Sequence, residues 1–367
     1  MNTIYPDYDN SLLNVICSIE KYFGINPKHR TNKKIDTILN DKKYKNILLV
    51  LYDGLGYNIV KRNKKITPTL NMYLKDKILS CFPSTTMSSR TTIESGLMPK
   101  EHGWIGWNMY FKDLNKVITI SKNYIKDTKI KAADFNVARK YLKYETVVER
   151  INKISGVNAK KLSVYKKHKE GSLKKSIYKI REAFNNEDKN FVYFYSNEPD
   201  YTFHKHGQYS LFGKLEMIKA DKHFKALCQN FKDTLIIAIA DHGHINTDYI
   251  TLSDYPKLYN MLDGDFGIDC RCASFNVKEG YKKEFLYELK KVLKDDFIIL
   301  TKKEVIDRNL FGTGNENKYF NDAIGDYIAI AVGNKAIRYT DNVRMKKSNH
   351  SGITEDEMYV PLIIYEG

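Results

Sequence analysis

Carboxylate and imidazole side chains follow an aromatic segment near the middle of this sequence. The segment Tyr193–Gly207 reads YFYSNEPDYTFHKHG, and it places Asp200 and His204 four residues apart. Side chains at this spacing lie on one face if the loop continues into a helix. Charged groups at the end of a buried strand usually hold something there, and a metal ion is the simplest candidate.

Two other apolar segments end in similar residues. Asp53 stands in LYDGLG, and Asp241 and His242 stand in ADHGH. Each residue alone has an ordinary structural explanation, such as a turn formed by an aspartate before glycine. Another histidine, His350, lies in a Gly/Ser loop shortly before the last apolar segment. Carboxylates gathered at one edge would repel one another without cations between them. Oxygen and nitrogen ligands without cysteine favour zinc first and manganese second.

A hydroxyl-rich segment could supply a nucleophile. Cys81–Phe111 begins CFPSTTMSSR, and its Ser84, Thr85 and Thr86 fall where a helix is predicted to begin. A hydroxyl at a helix N-terminus often caps the helix, and we expect a cap to account for one of the three. The N–H groups of the same helix end can also bind a phosphate oxygen.

The elements that would position these residues are strands buried on both faces. Four apolar segments lack the alternation of a half-exposed strand, which favours a mostly parallel sheet covered by helices. They are Asn46–Gly54, Asn190–Asp200, Asp233–His244 and Tyr359–Gly367. Segments of helical period such as Gly213–Phe231 lie between them, and this alternation predicts an α/β layered fold. In open parallel sheets, sites form outside the carboxyl ends of the strands.

Length and composition predict a globular protein. The chain has 367 residues with a hydrophobic fraction of 42%, enough to bury a large core. No apolar stretch approaches the length of about 20 residues that crosses a bilayer, and no signal peptide is visible at the start. Residues 122–186 are lysine-rich and mostly helical in pattern. Residues 251–347 are predicted to form a cap inserted in a single domain, 1–367.

Charge and cysteine usage suggest a cytoplasmic protein with an anionic substrate. The net charge of +16 comes from scattered lysine pairs interleaved with acids, so stable nucleic-acid binding is not expected, although a positive field speeds the arrival of anions. The five cysteines are odd in number and widely spread, which is typical of reduced thiols in a cytosol. The sequence leaves the oligomeric state open.

Five motifs stand in one order along the chain. They are the Asp-Gly at 53–54, the block FP…T…G…P…HG, E-P-D-x-x-x-H-x-x-G, D-H-G, and a late H-x-G before VPLI. In this order they resemble the alkaline phosphatase superfamily, in its type I phosphodiesterase/nucleotide pyrophosphatase branch, over nearly the whole length. The resemblance implies a three-layer α/β sandwich with a mostly parallel central sheet and an inserted cap.

The resemblance also implies a two-metal centre with a threonine nucleophile. One cation would be held by Asp200, His204 and His350. The other would be held by Asp53, Asp241 and His242 and would also contact the nucleophile. The family pattern P-x-x-T places the nucleophile at Thr86, with Thr85 as the nearest competitor. Two divalent cations would lower the pKa of the threonine hydroxyl and stabilise the leaving oxygen before water hydrolyses the phosphothreonine.

The chain departs from the family pattern after the HG block. Nucleotide pyrophosphatases have an asparagine there that donates to a phosphoryl oxygen, but here Trp107 stands at the aligned place and Asn108 follows it. Either the loop shifts by one residue, so that Asn108 makes this contact, or the contact is lost; Asn108 is assigned to it on the first alternative. His206 and His244 stand beside implied ligands and are interpreted as neighbouring loop residues.

These residues predict a metal-dependent phosphoric ester hydrolase, most simply a phosphodiesterase or nucleotide pyrophosphatase that acts on an anionic small molecule such as a nucleotide. A phosphomonoesterase or mutase of the same superfamily is the first alternative. A catalytically silent metal-binding regulatory module is the second. A complete set of ligands with a threonine argues against the silent module, because a lost enzyme usually loses at least one of them.

Overall fold

The computed structural model describes residues 2–165, 173–184 and 188–367. It contains seventeen β-strands in these residues. They are β1 Asn46–Tyr52, β2 Leu74–Leu79, β3 Asn108–Phe111, β4 Lys116–Thr119, β5 Tyr124–Ile125, β6 Val157–Val164, β7 Lys189–Ser196, β8 Thr234–Ile239, β9 Ile245–Asn246, β10 Asp248–Thr251, β11 Gly267–Asp269, β12 Cys272–Phe275, β13 Phe297–Thr301, β14 Tyr327–Ala331, β15 Lys335–Arg338, β16 Ser348–Asn349 and β17 Tyr359–Glu366.

The same residues form sixteen α-helices. They are α1 Leu12–Tyr22, α2 Lys33–Asp41, α3 Tyr57–Arg62, α4 Pro68–Met72, α5 Thr86–Ser95, α6 Pro99–His102, α7 Val137–Tyr141, α8 Val147–Ile151, α9 Leu173–Ala183, α10 Asp200–His206, α11 Leu211–Asn230, α12 Pro256–Tyr259, α13 Lys282–Leu293, α14 Lys302–Asp307, α15 Phe320–Ala323 and α16 Glu355–Met358. None of these helices is long and apolar enough to cross a membrane.

The four apolar segments form the core of a six-stranded sheet. Its strand order is β2-β17-β8-β1-β7-β6, with β1 parallel to β7 and β8, and β6 parallel to β7. The predicted α/β fold with a mostly parallel central sheet is confirmed. β17 runs antiparallel to β8 and β2, between which it lies. Strand β6 falls in the segment 122–186, so the expectation of a mostly helical segment is wrong there; parts of that segment lie outside the described residues.

Three asparagines align neighbouring strands at their amino ends. Asn190 of β7 pairs in register with Asn46 of β1 and with Asn158 of β6. The Asn190 amide donates to Asn46 Oδ1, and the Asn158 amide donates to Asn190 Oδ1, both at 3.0 Å. A shift of one residue would break these bonds and exchange the two faces of a strand. The register therefore places the carboxyl ends of β1 and β7 at the same height.

A second sheet of seven strands lies beside the first. Its order is β13-β14-β12-β11-β3-β4-β5, and its pairs are antiparallel. It takes strands from 108–125 as well as from 267–331. The boundaries of a cap at 251–347 within a single domain stay a prediction.

A fully buried ion pair joins the second sheet to the loop that carries His350. Arg271, between β11 and β12, donates from Nε and Nη2 to the two carboxylate oxygens of Glu357 in α16, each at 2.7 Å. Glu357 also accepts from the Gly352 amide at 2.8 Å and from the Thr354 hydroxyl at 2.7 Å. The position of residues 350–354 thus depends on the buried carboxylate of Glu357, whose counter-ion Arg271 is also buried.

Candidate active site

The carboxyl ends of three adjacent strands bring the predicted site residues together. Asp53 follows β1, Asp200 begins α10 after β7, and Asp241 follows β8. Backbone amides hold the junction together: the Asp200 amide donates to the Asp53 carbonyl at 2.9 Å, and the Gly54 amide donates to the Asp241 carboxylate oxygen Oδ1 at 3.0 Å. This is the edge at which ligands of open α/β sheets bind.

The side chains form two groups that could each hold a metal ion. Within each group, one nitrogen or oxygen atom per residue lies within 4.8 Å of the others. The Asp53 group consists of Asp53, Asp241 and His242, as the sequence predicted. The Asp200 group consists of Asp200, His204, His350 and, beyond the prediction, His244. His206 lies outside both groups, and its ring packs on Phe212 at a centroid distance of 4.4 Å.

The histidines present the same nitrogen to the carboxylates. The Nδ1 atoms of His204, His242 and His350 lie 2.7, 2.9 and 3.2 Å from the carbonyl oxygens of Ser348, Gly243 and Ser84. A carbonyl only accepts, so these Nδ1 atoms carry the hydrogen, and in the neutral ring Nε2 keeps its lone pair. Histidines that bind metals are oriented by such a bond from the other ring nitrogen.

The Nε2 atoms face carboxylate oxygens across short gaps. His242 Nε2 lies 3.3 Å from Asp53 Oδ1, and the Nε2 atoms of His204 and His350 lie 3.2 and 3.7 Å from Asp200 Oδ1. Lone pairs and anions at this distance need a positive charge between them. Asp241 Oδ2 is buried and accepts no hydrogen bond from the described residues. Both observations fit a divalent cation in each group.

The electrostatics of the carboxylates lead to the same conclusion. Burial and the charge of Asp53 raise the pKa of Asp200 to about 8 and raise the pKa of Asp241 well above its usual value. Burial also acts on Asp53, but the hydrogen bond and charge of His242 outweigh it and lower the pKa of Asp53. Burial disfavours a charged His242, but Asp241 and Asp53 raise its pKa to about 10. Negative charge that draws a proton to this ring draws a metal cation as well, with release of the proton.

Thr86 is the hydroxyl that faces the Asp53 group. It begins α5, and its Oγ1 lies 3.2 Å from His242 Nε2 and 3.5 Å from Asp53 Oδ1. Thr85 instead donates to Asp269 Oδ2 at 3.0 Å, and Ser84 donates to the Gly352 carbonyl at 2.7 Å. The expectation that one of the three hydroxyls caps the helix is wrong, because α5 has no side-chain cap. Strand β11 and the loop at Gly352 supply acceptors for two of the hydroxyls, and the third faces the Asp53 group.

Tyr195 is a site residue that the sequence analysis missed. Its hydroxyl, on β7, donates a short hydrogen bond to Asp53 Oδ2. The Arg90 guanidinium lies over the Tyr195 ring, 4.2 Å from its centroid, and donates from Nε to Glu94 at 2.7 Å. A stacked cation fixes the ring and makes its hydroxyl a better donor. Tyr195 therefore holds the Asp53 carboxylate in place.

Asn108 and Thr86 line different cavities. Asn108 lies in β3, and its Oδ1 accepts from the Thr119 hydroxyl at 2.7 Å. Trp107, its neighbour, lines the cavity of about 590 Å³ that contains Asp53 and Thr86. Asn108 lines an adjacent cavity of about 290 Å³, which Trp107 also borders. The contact of Asn108 with a phosphoryl oxygen stays a prediction.

The larger cavity combines aromatic and cationic side chains. Its wall includes Trp107, Tyr165 and Tyr201 on the aromatic side and Lys205, Arg344 and Lys346 on the cationic side. Lys346 Nζ donates to His204 Nε2 at 3.1 Å, at the lone pair that a metal would take. Such a wall suits an anion that carries a flat ring.

Comparisons with known proteins agree with this geometry. A model of the type I phosphodiesterase / nucleotide pyrophosphatase family matches residues 47–353. Murine ectonucleotide pyrophosphatase / phosphodiesterase 5, solved as an inactive threonine-to-alanine variant in complex with AMP, aligns with a TM-score of 0.66 and 18% identity over 86% of this chain and 87% of that chain. The human protein of the same name aligns with a TM-score of 0.67 and 18% identity over 87% of each chain. A search of the curated proteins gives no significant match.

Proposed function

Because the chain belongs to the type I phosphodiesterase/nucleotide pyrophosphatase family of hydrolases, we propose that it cleaves nucleotide phosphodiester or pyrophosphate bonds with Thr86 as nucleophile. The observation that carries the proposal is the position of Thr86 Oγ1, 3.2 Å from His242 Nε2 at the edge of the Asp53 group. We further propose two divalent cations as cofactors, with zinc the first expectation and manganese the second.

The two groups would hold the cations, and the chain's own residues would position the reacting atoms. When bound, the cations would neutralise charge on the phosphoryl oxygens and lower the pKa of the attacking hydroxyl. Asp53 and His242 orient Thr86, and Tyr195 orients Asp53. The N–H groups at the start of α5 have no partners within the helix and would be available to a phosphoryl oxygen held in front of Thr86. Attack by Thr86 Oγ1 forms a phosphothreonine and expels the leaving oxygen, and water then regenerates the threonine.

The cavity wall supports a nucleotide as substrate. Aromatic rings at the wall can stack on a base, and the cationic side chains can bind phosphate. The solved murine neighbour is a complex with AMP, which fits the same chemistry. These observations favour a diester or pyrophosphate of a nucleoside over a small inorganic ester.

A hydrolysis screen tests the proposed function directly. The zinc-loaded protein is assayed with bis(p-nitrophenyl) phosphate, with p-nitrophenyl phosphate and with the p-nitrophenyl ester of thymidine 5′-monophosphate. We expect the thymidine diester to be cleaved fastest. Preferential cleavage of p-nitrophenyl phosphate would favour a phosphomonoesterase, and no cleavage of any ester by metal-loaded protein would argue for a silent binding module.

We expect the active protein to contain two divalent cations per chain. Asp53→Asn and Asp200→Asn should each lose one cation, because each removes the carboxylate of a different group. Asp307→Asn is the matched control, since Asp307 forms an exposed ion pair with Lys303 in α14. Elemental analysis of the purified wild type and variants measures the number of divalent cations per chain. A single cation in fully active wild-type protein would contradict the expectation.

We expect Arg344 and Lys346 to bind the charged part of the substrate. A cation in the Asp200 group would take the lone pair to which Lys346 now donates and leave its ammonium free for phosphate. A hydrogen bond to a charged group contributes roughly 1.5–3 kcal/mol, so Arg344→Gln combined with Lys346→Gln should raise KM for a nucleoside triphosphate by about tenfold or more. KM for bis(p-nitrophenyl) phosphate should change much less. Lys303→Gln, at an exposed position, is the control, and an equal change in KM for both substrates would refute this role.

A further inference from the structure

His244 is the member of the Asp200 group that the family resemblance does not supply. Its side chain is fully buried, and its Nε2 lies 2.6 Å from Asp200 Oδ1. We propose that His244 is a fourth protein ligand of the cation that Asp200, His204 and His350 hold. This inference rests on the proposed two-metal function and adds one donor to one of its two sites.

The hydrogen bonds of Ser348 fix which nitrogen of His244 faces the site. The Ser348 hydroxyl donates its single proton to the Ile245 carbonyl at 2.9 Å. It must therefore accept from His244 Nδ1, which lies 3.0 Å away. In the neutral ring the Nε2 lone pair then points at Asp200, as the Nε2 atoms of His204 and His350 do. A lone pair 2.6 Å from a carboxylate oxygen needs a positive charge to bind both atoms. An oriented imidazole of this kind is what a metal ligand requires.

The surroundings of His244 hold the ring where it is. Its centroid lies 4.9 Å from that of His204 and 5.3 Å from that of His350, and Phe203 packs edge-on at 5.4 Å. Gly54, whose φ is +75°, makes room on the remaining side. A Cβ at Gly54 would lie 2.9 Å from His244 Cδ2 and 3.0 Å from Asp200 Cβ. The absence of that atom allows the imidazole and the carboxylate to approach one another.

A fourth donor makes the two metal sites unequal. Zinc sites with four protein ligands are closed, whereas sites with three keep a position for water or substrate. The Asp200 group would then hold its cation with four side chains. The Asp53 group has three, with Thr86 beside them. The open position would lie next to the nucleophile, and the Asp200 site would serve mainly to anchor its cation.

Nuclear magnetic resonance of the cadmium-loaded protein tests the bond itself. Nitrogen-labelled histidine and a magnetically active cadmium isotope give a scalar coupling only between bonded atoms. We expect couplings to the Nε2 atoms of four histidines, including the one that disappears from the spectrum of His244→Gln. Couplings to only His204, His242 and His350 would overturn the proposal. No bound cadmium at all would refute the metal centre on which the proposal rests.

The metal affinity of the His244→Gln variant distinguishes a histidine that binds the cation from one that only orients Asp200. The glutamine amide in His244→Gln can donate to Asp200, so Asp200 keeps a polar neighbour while the imidazole nitrogen is removed. Chelator competition should show one of the two cations bound at least about 100-fold more weakly, beyond the range for loss of an orienting partner. His206→Gln, two residues after His204 and outside both groups, should bind both cations as the wild type does. Unchanged affinity in His244→Gln would show that His244 is not a ligand.

Discussion

The Thr86→Ala variant is expected to hydrolyse nucleotide diesters at least about 100-fold more slowly than the wild type, with both cations still bound. A hydroxyl in water ionises far above neutral pH. The reactivity of the Thr86 oxygen therefore depends on its position beside the cation that the Asp53 group would hold. Alanine removes that oxygen and leaves Asp53, Asp241 and His242 in place. Rates with the p-nitrophenyl ester of thymidine 5′-monophosphate, together with elemental analysis, measure both parts of the expectation.

Two neighbouring substitutions serve as controls. Thr86→Ser keeps the hydroxyl and should retain substantial activity. Thr85→Ala should cost much less activity, because Thr85 bonds to Asp269 at 3.0 Å and not to the Asp53 group. Acid quenching during turnover followed by peptide mapping should find the phosphoryl group on Thr86. Its presence on Thr85 or Ser84 would move the nucleophile, and full activity of Thr86→Ala would exclude covalent catalysis by this residue.

The Glu357→Gln variant is expected to lose about 3–5 kcal/mol of its free energy of unfolding. The substitution leaves the Arg271 guanidinium charged and fully buried without its counter-ion. Domains are stable by only about 5–15 kcal/mol, so this is a large fraction of the total. Denaturant unfolding followed by circular dichroism measures the loss.

An exposed ion pair serves as the control for the buried pair of Arg271 and Glu357. Removing the charge of Lys303, which pairs with Asp307 at the surface, should cost less than about 1 kcal/mol. Replacing both buried partners, Arg271→Met with Glu357→Leu, should recover much of the lost stability, because two apolar side chains leave no unpaired charge. A Glu357→Gln protein as stable as the wild type would show that the buried pair contributes nothing to the fold.

Uniform burial explains which strands the sequence predicted. β1, β7, β8 and β17 are covered on both faces, so each appears as an unbroken apolar run. Such a run carries no information about direction, and the antiparallel course of β17 is visible only in the structure. β6 is an edge strand with exposed lysines at Lys160 and Lys161. Because these polar residues interrupt its apolar pattern, the sequence did not predict it.

The site was predictable where residues stand at strand ends. Asp53, Asp200 and Asp241 follow three adjacent strands, so their proximity follows from topology alone. His244 was not expected in the Asp200 group, because its position depends on how the loop after β8 folds back. Gly243 permits that fold: a Cβ there would lie 1.8 Å from the Asp356 carbonyl. The repeated histidine in D-H-G-H was the one signal in the sequence.

Tyr195 was missed for a different reason. Its place in an aromatic strand is typical of a core residue, and its ring is indeed buried. Only the hydroxyl differs from a phenylalanine, and its partner Asp53 lies 142 positions away in the sequence. Hydrogen bonds between strands that are distant in sequence leave no periodic pattern to detect.

The position of β17 bears on how the chain is made. β17 lies between β8 and β2 in the sheet. In the chain, however, residues 240–358 separate β8 from β17, and they are synthesised before β17. At roughly 5–20 residues per second, a nascent chain on the ribosome keeps the β8 edge unpaired for several seconds at least. An open apolar edge is a template for pairing with another chain. The hazard of aggregation therefore falls on the polypeptide during synthesis, and pairing of β17 with β8 removes it.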